Sequence, residues 1–306
     1  MLLHRSILAG LALVLVNAAA AAQSTSSLLI TPLELAGQLR DPNLVVLHVG
    51  PRDNYDAGHI EGARYVSLRD LSAADQPGAP PLELPDEADL RQRLERLGIG
   101  DNSRVVITFG QDWLTPATRV VWVLQTAGLA ERTRLLDGGT VAWQRDGRPL
   151  TTTVPAEPRA GRLTLAFDRS IVVDRTWVQA RSRGPGIRLI DGRAPMFYEG
   201  PGPNGSGAGH IPGAKNIPFN TVANDSVRFL SVTQLRRLFD AAGVQPGDTV
   251  AAYCHIGQQA TAVLFAARLL GHPVRLYDGS MRDWEARGLP LDNPSGARPP
   301  ADRSPR

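Results

Sequence analysis

The stretch AAYCHIGQQATA (251–262) holds the sole cysteine of a 306-residue chain. Cys254 can close no internal disulfide, so it is either an inert core filler or a residue kept for its reactivity. A short apolar run precedes it and helical spacing follows it, which gives the pattern strand, cysteine, turn, helix. Such a loop, here His255, Ile256, Gly257, Gln258 and Gln259, aims backbone N–H groups inward, and Gly257 permits the tight turn this needs. The helix N-terminus adds roughly half a positive charge. Both effects favour an anion at the sulfur, so the expectation is a reactive thiol with a lowered pKa, able to hold a persulfide or a sulfur oxyanion.

Other uses of a lone cysteine each lack a group. A cysteine phosphatase clamps its oxyanion with an arginine six positions on; here that position is Ala260, and the next arginine is Arg268. A Cys-His protease needs a second histidine brought alongside by folding, and no local protease signature surrounds His255. Thioredoxin-like chemistry needs a resolving cysteine, which the chain does not have.

The elements that must position the loop occur twice. LLDGGTVAWQRDGRPL (135–150) matches LYDGSMRDWEARGLPL (276–291), setting Asp137, Gly138 and Trp143 on Asp278, Gly279 and Trp284. AGHIEGARYVSL (57–68) matches AGHIPGAKNIPF (208–219), and NLVVLHVG (43–50) precedes the first as GIRLIDGR (186–193) precedes the second. Motifs in one order in both halves indicate a tandem duplication, with units at 28–150 and 171–292 and a polar, Pro-containing linker at 151–170. In the second unit, short apolar strands at Ile187–Ile190, Thr249–Tyr253 and Val274–Tyr277 alternate with helices at Ser231–Ala242 and Gln258–Leu270. The first repeats this with strands at Leu44–Val49, Arg104–Phe109 and Arg134–Leu136 and a helix from Thr115 to Ala127. The alternation predicts an α/β fold in which each unit is a mainly parallel sheet flanked by helices. Ligands of such sheets sit at the carboxyl ends of the strands, where Cys254 stands.

GHIEGA and GHIPGA, LDGGTVAW and YDGSMRDW, and the loop YCHIGQQA in the second half only make the chain resemble the two-domain rhodanese-type sulfurtransferases over nearly all of 28–291. The resemblance implies two tandem rhodanese-like domains, the second active and the first silent. Phe109 stands where Cys254 does, and His48 and Gly50 stand where Asp191 and Arg193 do. It also implies a two-step transfer without metal or organic cofactor. Cys254 takes the outer sulfur of a small anionic donor, thiosulfate or 3-mercaptopyruvate, and passes it as a persulfide to a thiol or cyanide. A persulfide carrier loaded by a protein partner is the alternative, and a protein acceptor fits either reading.

The loop departs from both familiar subtypes. Thiosulfate-type relatives have two basic residues after the cysteine, here His255 and Ile256; mercaptopyruvate-type ones have Gly-Ser-Gly. An arginine usual after the Asp191 position is replaced by Phe197. Arg193, Arg282 and Lys215 are therefore the candidates for the donor's anionic group. Asp191 is expected to pair with Arg193 or orient the cradle, and His210, like His59, to make a structural hydrogen bond.

Met1–Ala22 has the layout of a signal peptide: Arg5, an apolar run over Ile7–Val16, then small residues in an A-x-A pattern. The expectation is export to the periplasm or beyond, with no stable membrane insertion after cleavage. The formal charge of +3 gives no basis for nucleic-acid binding. The tail at 293–306, rich in Pro and Arg, is expected to be disordered.

Overall fold

The computed structural model describes residues 28–74, 80–111, 113–158, 160–200 and 209–293. The leader expected at 1–22 and nearly all of the tail lie outside the described residues. The first unit runs β1 (Leu29–Ile30), α1 (Pro32–Ala36), β2 (Leu44–Val49), α2 (Arg52–Ala57), β3 (Arg64–Val66), α3 (Glu87–Arg96), β4 (Arg104–Phe109), α4 (Leu114–Leu124), β5 (Thr133–Leu136) and α5 (Gly139–Arg145). The second repeats it as β6 (Val172–Val173), α6 (Arg175–Arg181), β7 (Ile187–Asp191), α7 (Pro195–Glu199), β8 (Lys215–Asn216), α8 (Val232–Ala241), β9 (Thr249–Tyr253), α9 (Ala260–Leu269), β10 (Val274–Tyr277) and α10 (Ser280–Ala286).

Each unit is a five-stranded sheet with all pairs parallel, ordered β1-β5-β4-β2-β3 and β6-β10-β9-β7-β8. The registers correspond. His48 pairs with Thr108 as Asp191 pairs with Tyr253. The next position on β4 is Phe109 and the next after β9 is Cys254, so the cysteine stands just past the tip of a central strand.

Helices α4 and α9 explain how the units join. Every residue of α4 is buried, and of α9 only Arg268 is not. A helix apolar on all faces must be covered on all faces, and each of these lies between its own sheet and the other helix. Thr118 meets its counterpart Thr261 there, Oγ1 to Oγ1 at 2.9 Å. The largest core cluster accordingly runs through both units. The expected helices at Thr115–Ala127 and Gln258–Leu270 are shorter in the structure. α4 widens into a turn over Gln125–Leu129, with Gly128 at φ 85°, and Gln258 and Gln259 belong to the loop that precedes α9. α8 starts on a capping box of Ser231 and Gln234. The Trp143 and Trp284 indoles donate to the carbonyls of Pro149 and Pro290. The segment between the units is fastened to the first: Leu163 N donates to Glu95 Oε1 (2.9 Å) and Asp168 N to the Thr126 carbonyl (2.8 Å).

His48 is the weak point of the first unit. It is buried on β2, and neither ring nitrogen has a hydrogen-bond partner. Burial, with a smaller contribution from His59, lowers its pKa from 6.5 to about 4. Between those values the unfolded chain binds a proton that the folded chain does not, so stability is lost as pH falls through that window. The wild type should lose about 3 kcal/mol relative to His48→Leu between neutral pH and about pH 4, by denaturant titration. A pH-independent difference would refute this.

Candidate active site

Cys254 is fully buried at the end of β9. Its backbone is pinned from α10: Cys254 N donates to Ser280 Oγ (3.2 Å), and Met281 N donates to the Cys254 carbonyl (3.1 Å). Ser280 takes a left-handed φ of 52° to do this, a conformation costly for a residue with a Cβ. Arg282 N donates to the His255 carbonyl (3.1 Å), so the first turn of α10 holds two successive residues at the strand tip. The loop then folds around the sulfur, and the N–H groups of Ala260, Ile256, Gln259 and Gly257 are directed at it. Gly257 has φ 78°, and a Cβ there would stand 2.7 Å from Asp278 Oδ1 and 2.8 Å from its carbonyl oxygen.

The balance at the sulfur corrects the expected lowering of the thiol pKa. Burial pushes Cys254 up, and the four backbone donors offset only part of that. His255 adds no fixed charge, because burial, and then the nearby Arg193, lowers its pKa and keeps the ring neutral. Phe197, in the place of the missing arginine, packs edge-on against His255 with ring centroids 4.7 Å apart.

The structure places Arg193 in a buried ion pair. It is fully buried, with Nε and Nη2 on the Asp191 carboxylate (3.0 and 2.6 Å) and Nη2 also on the Gly209 carbonyl. Burial works against its charge and the Asp191 carboxylate outweighs that. It braces the GHI turn and does not line the cavity beside the loop. Asp191 is the other half of this buried pair. Lys215 lies exposed on β8, across from Ile190, and is not among the residues lining that cavity. His210 stacks on Tyr198 at 3.8 Å, and its Nδ1 lies 2.9 Å from the Tyr198 carbonyl oxygen. His59 stacks on Tyr55 in the same way.

Arg282 is the candidate that the structure does bring to the loop. A cavity of about 630 Å³ opens there, lined by Pro80, His255, Ile256, Met281, Arg282 and Glu285 among others. Arg282 and Arg287 on its wall face an equal number of acids, Asp283 and Glu285. A larger cleft of about 1100 Å³ follows the seam between the units past Trp177 and Tyr277 and does not include the cysteine loop. Among the described residues, no group of three or more His, Cys, Asp or Glu is placed to hold a metal ion, and no helix is long and apolar enough to cross a membrane.

The sequence motifs do not announce what the first unit contributes. Gln258 donates from Nε2 to Thr115 Oγ1 across the interface (3.1 Å). Arg119, fully buried on α4, reaches Asp278 and the Gly257 carbonyl. Its signal in the sequence is a lone arginine inside the apolar run TPATRVVWVL.

The family model for the Rhodanese-like domain matches residues 31–146 and 174–287. A Pseudomonas aeruginosa protein named "Probable 3-mercaptopyruvate sulfurtransferase" is 36% identical over 274 residues, covering 85% of this chain and 95% of its own. A "Sulfur carrier protein" of Thermus thermophilus is 34% identical over 270 residues, covering 83% and 92%. The crystal structure of the 3-mercaptopyruvate sulfotransferase SseA from Escherichia coli superposes with a TM-score of 0.73 at 27% identity, covering 83% of this chain and 98% of that one.

Gly257→Ala should destabilise the protein by more than the roughly 1–2 kcal/mol that a left-handed φ alone costs a residue with a Cβ. Gly271→Ala is the matched control, with φ 84° and nothing within reach of a Cβ. Equal shifts of the denaturation midpoint would refute the contact with Asp278. Alkylation of Cys254 should keep accelerating through the neutral and mildly alkaline range, because the raised pKa leaves the thiol mostly protonated there. A plateau at or below neutral pH would contradict it.

Proposed function

The chain belongs to the rhodanese family of tandem-domain sulfurtransferases, and from that premise we propose that Cys254 is the residue that carries the transferred sulfur. The activity is transfer of a sulfane sulfur from thiosulfate or 3-mercaptopyruvate to a thiol or cyanide. The observation that supports Cys254 as its carrier is the convergence of four loop N–H groups on this one sulfur at a strand tip.

In the first step the Cys254 thiolate attacks the outer sulfur of the donor. A sulfur–sulfur bond forms as the donor's bond to that sulfur breaks, and the bonding pair leaves with sulfite from thiosulfate. With 3-mercaptopyruvate it leaves as the pyruvate enolate, which takes up a proton. In the second step cyanide or a thiol takes the outer sulfur as thiocyanate or a persulfide, and Cys254 regains its thiolate. The loop N–H groups stabilise negative charge on sulfur in both states, as fixed donors in a dry site do best.

Within this reading the favoured donor is the less charged one. His255 is neutral, Arg193 is committed to Asp191, and the charges on the cavity wall balance. That setting suits the monoanion 3-mercaptopyruvate over the dianion thiosulfate, with Arg282 receiving the carboxylate. A protein acceptor is part of the proposal, supported by the relative named as a sulfur carrier. So is export, supported by the layout of Met1–Ala22; mass spectrometry of the chain recovered from cells should find Ala22 removed, and an intact leader would count against it.

Intact-mass analysis after incubation with 3-mercaptopyruvate should reveal the gain of one sulfur atom, absent in Cys254→Ser. No gain with either donor would sink the reading, and a gain only from a protein donor would replace it with a carrier. In steady state kcat/KM should be higher for 3-mercaptopyruvate than for thiosulfate. Arg282→Ala should raise KM for 3-mercaptopyruvate several-fold with kcat nearly unchanged, the mark of lost ground-state binding. A preference for thiosulfate would overturn the charge argument.

A further inference from the structure

We propose that Arg119, carried by the unit without a cysteine, is a positioning residue for the Cys254 loop. The inference rests on the reading of Cys254 as the sulfur carrier. The side chain crosses the interface from α4 and ends in three contacts. Nη1 donates to Asp278 Oδ1 at 2.5 Å and to the Gly257 carbonyl at 3.3 Å, and Nη2 donates to the Leu82 carbonyl. The guanidinium also lies over the Trp122 ring, 4.5 Å from its centre. An arginine 1% exposed is expensive to bury and is tolerated only when its donors are used.

Its partners are the groups that shape the cradle. Gly257 supplies one of the N–H groups aimed at the sulfur, and its carbonyl is held on the far side by Arg119. Asp278 packs directly against the Gly257 Cα and leads into Gly279 and Ser280, whose hydroxyl fixes Cys254 N. One guanidinium thus ties the middle of the loop to the turn that pins its start.

The duplication argues that this link is more than glue between units. Thr118 meets Thr261 across the pseudo-symmetric interface, so the counterpart of Arg119 is Ala262. The neighbouring features are kept in both halves. Leu82 and Val227 both take left-handed φ values, 64° and 50°, four residues before the N-caps Asp86 and Ser231. Asp137, the counterpart of Asp278, is likewise served from the opposite unit, by Phe229 N at 3.2 Å and by Arg228 at 3.7 Å. Ala262 is too short to reach Asp137, and the loop after β4 carries no cysteine. The buried arginine occurs only in the direction that leads to Cys254.

The test compares Arg119→Met, Arg119→Lys and, as a control for loss of a half-buried arginine remote from the site, Arg64→Met, whose Nη1 serves the Leu97 carbonyl in the first unit. All are assayed well below their melting temperatures. In single-turnover loading with 3-mercaptopyruvate, Arg119→Met should slow persulfide formation by about tenfold or more, the scale expected for a misplaced reacting group. The donor concentration at half-maximal rate should stay within about twofold. Arg119→Lys, which keeps one charged contact, should recover part of the rate, and Arg64→Met should lower the melting temperature without changing loading. The pH dependence of Cys254 alkylation should also move upward in Arg119→Met, a readout that needs no sulfur donor. If Arg119→Met does not fold, Arg119→Gln and Asp278→Asn carry the same comparison. Wild-type protein that takes up no sulfur defeats the functional reading alone. Wild-type loading matched within about twofold by Arg119→Met, with no change in alkylation, overturns the positioning role.

Discussion

The rest of the structure depends on one constraint: negative charge on a buried sulfur has to be tolerated without a cation beside it. Burial opposes a thiolate at Cys254, and the counterweight is a set of backbone N–H groups rather than a charged side chain. Backbone dipoles act only over short distances and only when aimed, so the burden passes to geometry. A parallel strand must end at the cysteine, a helix must begin a few residues later, and the chain between must turn inward. Gly257 supplies the left-handed turn, Ser280 accepts a strained backbone to fix Cys254 N, and α10 begins where it can hold both Cys254 and His255 by their carbonyls.

The duplication provides the stiffness that such aiming needs. A single unit would expose the apolar outer faces of α4 and α9. The pair buries them against each other and so fixes the two loops that follow β4 and β9. The first unit differs from the second at these polar positions. His48 stands for Asp191 and Gly50 for Arg193, so the buried ion pair that braces the second GHI turn has no equivalent in the first. What the first unit retains is its interface, with Thr115 and Arg119 directed at the loop next to Cys254 and Thr118 at the helix that follows it.

The fold was legible in the sequence because it is written in contiguous runs: apolar strands, helices closed by glycine, and motifs repeated in order. The cysteine loop was legible for the same reason, since strand, Cys254, Gly257 and helix follow one another directly. What could not be read depends on depth and on distant partners. The thiol pKa was misjudged because the dipoles of a loop show in local sequence while the burial of a sulfur does not. Arg193 was a candidate for the donor's anion as well as a partner for Asp191, and what the sequence does not show is how deeply that pair is buried. Lys215 follows the GHIPGA motif, but the edge position of β8 turns it to solvent. Arg119 lies far from Cys254 in the chain, and only the packing of α4 on α9 joins them.

A thiol with a raised pKa is not a poor choice for this chemistry. Thiolate fraction at neutral pH falls with each unit of pKa, while intrinsic nucleophilicity rises by only about half as much on the same scale, so the free thiol is a restrained nucleophile. Restraint is useful to a lone cysteine, because thiolate character and exposure are also what make sulfur vulnerable to oxidation. Fixed positive charge near the sulfur would lower the pKa and raise that vulnerability, and it would draw in any small dianion. Beside the sulfur stand a neutral His255, the Phe197 ring packed against it, and a cavity wall whose charges balance. The loop N–H groups then favour the anionic sulfur states that transfer passes through, and the geometry that aims them is held from both halves of the molecule.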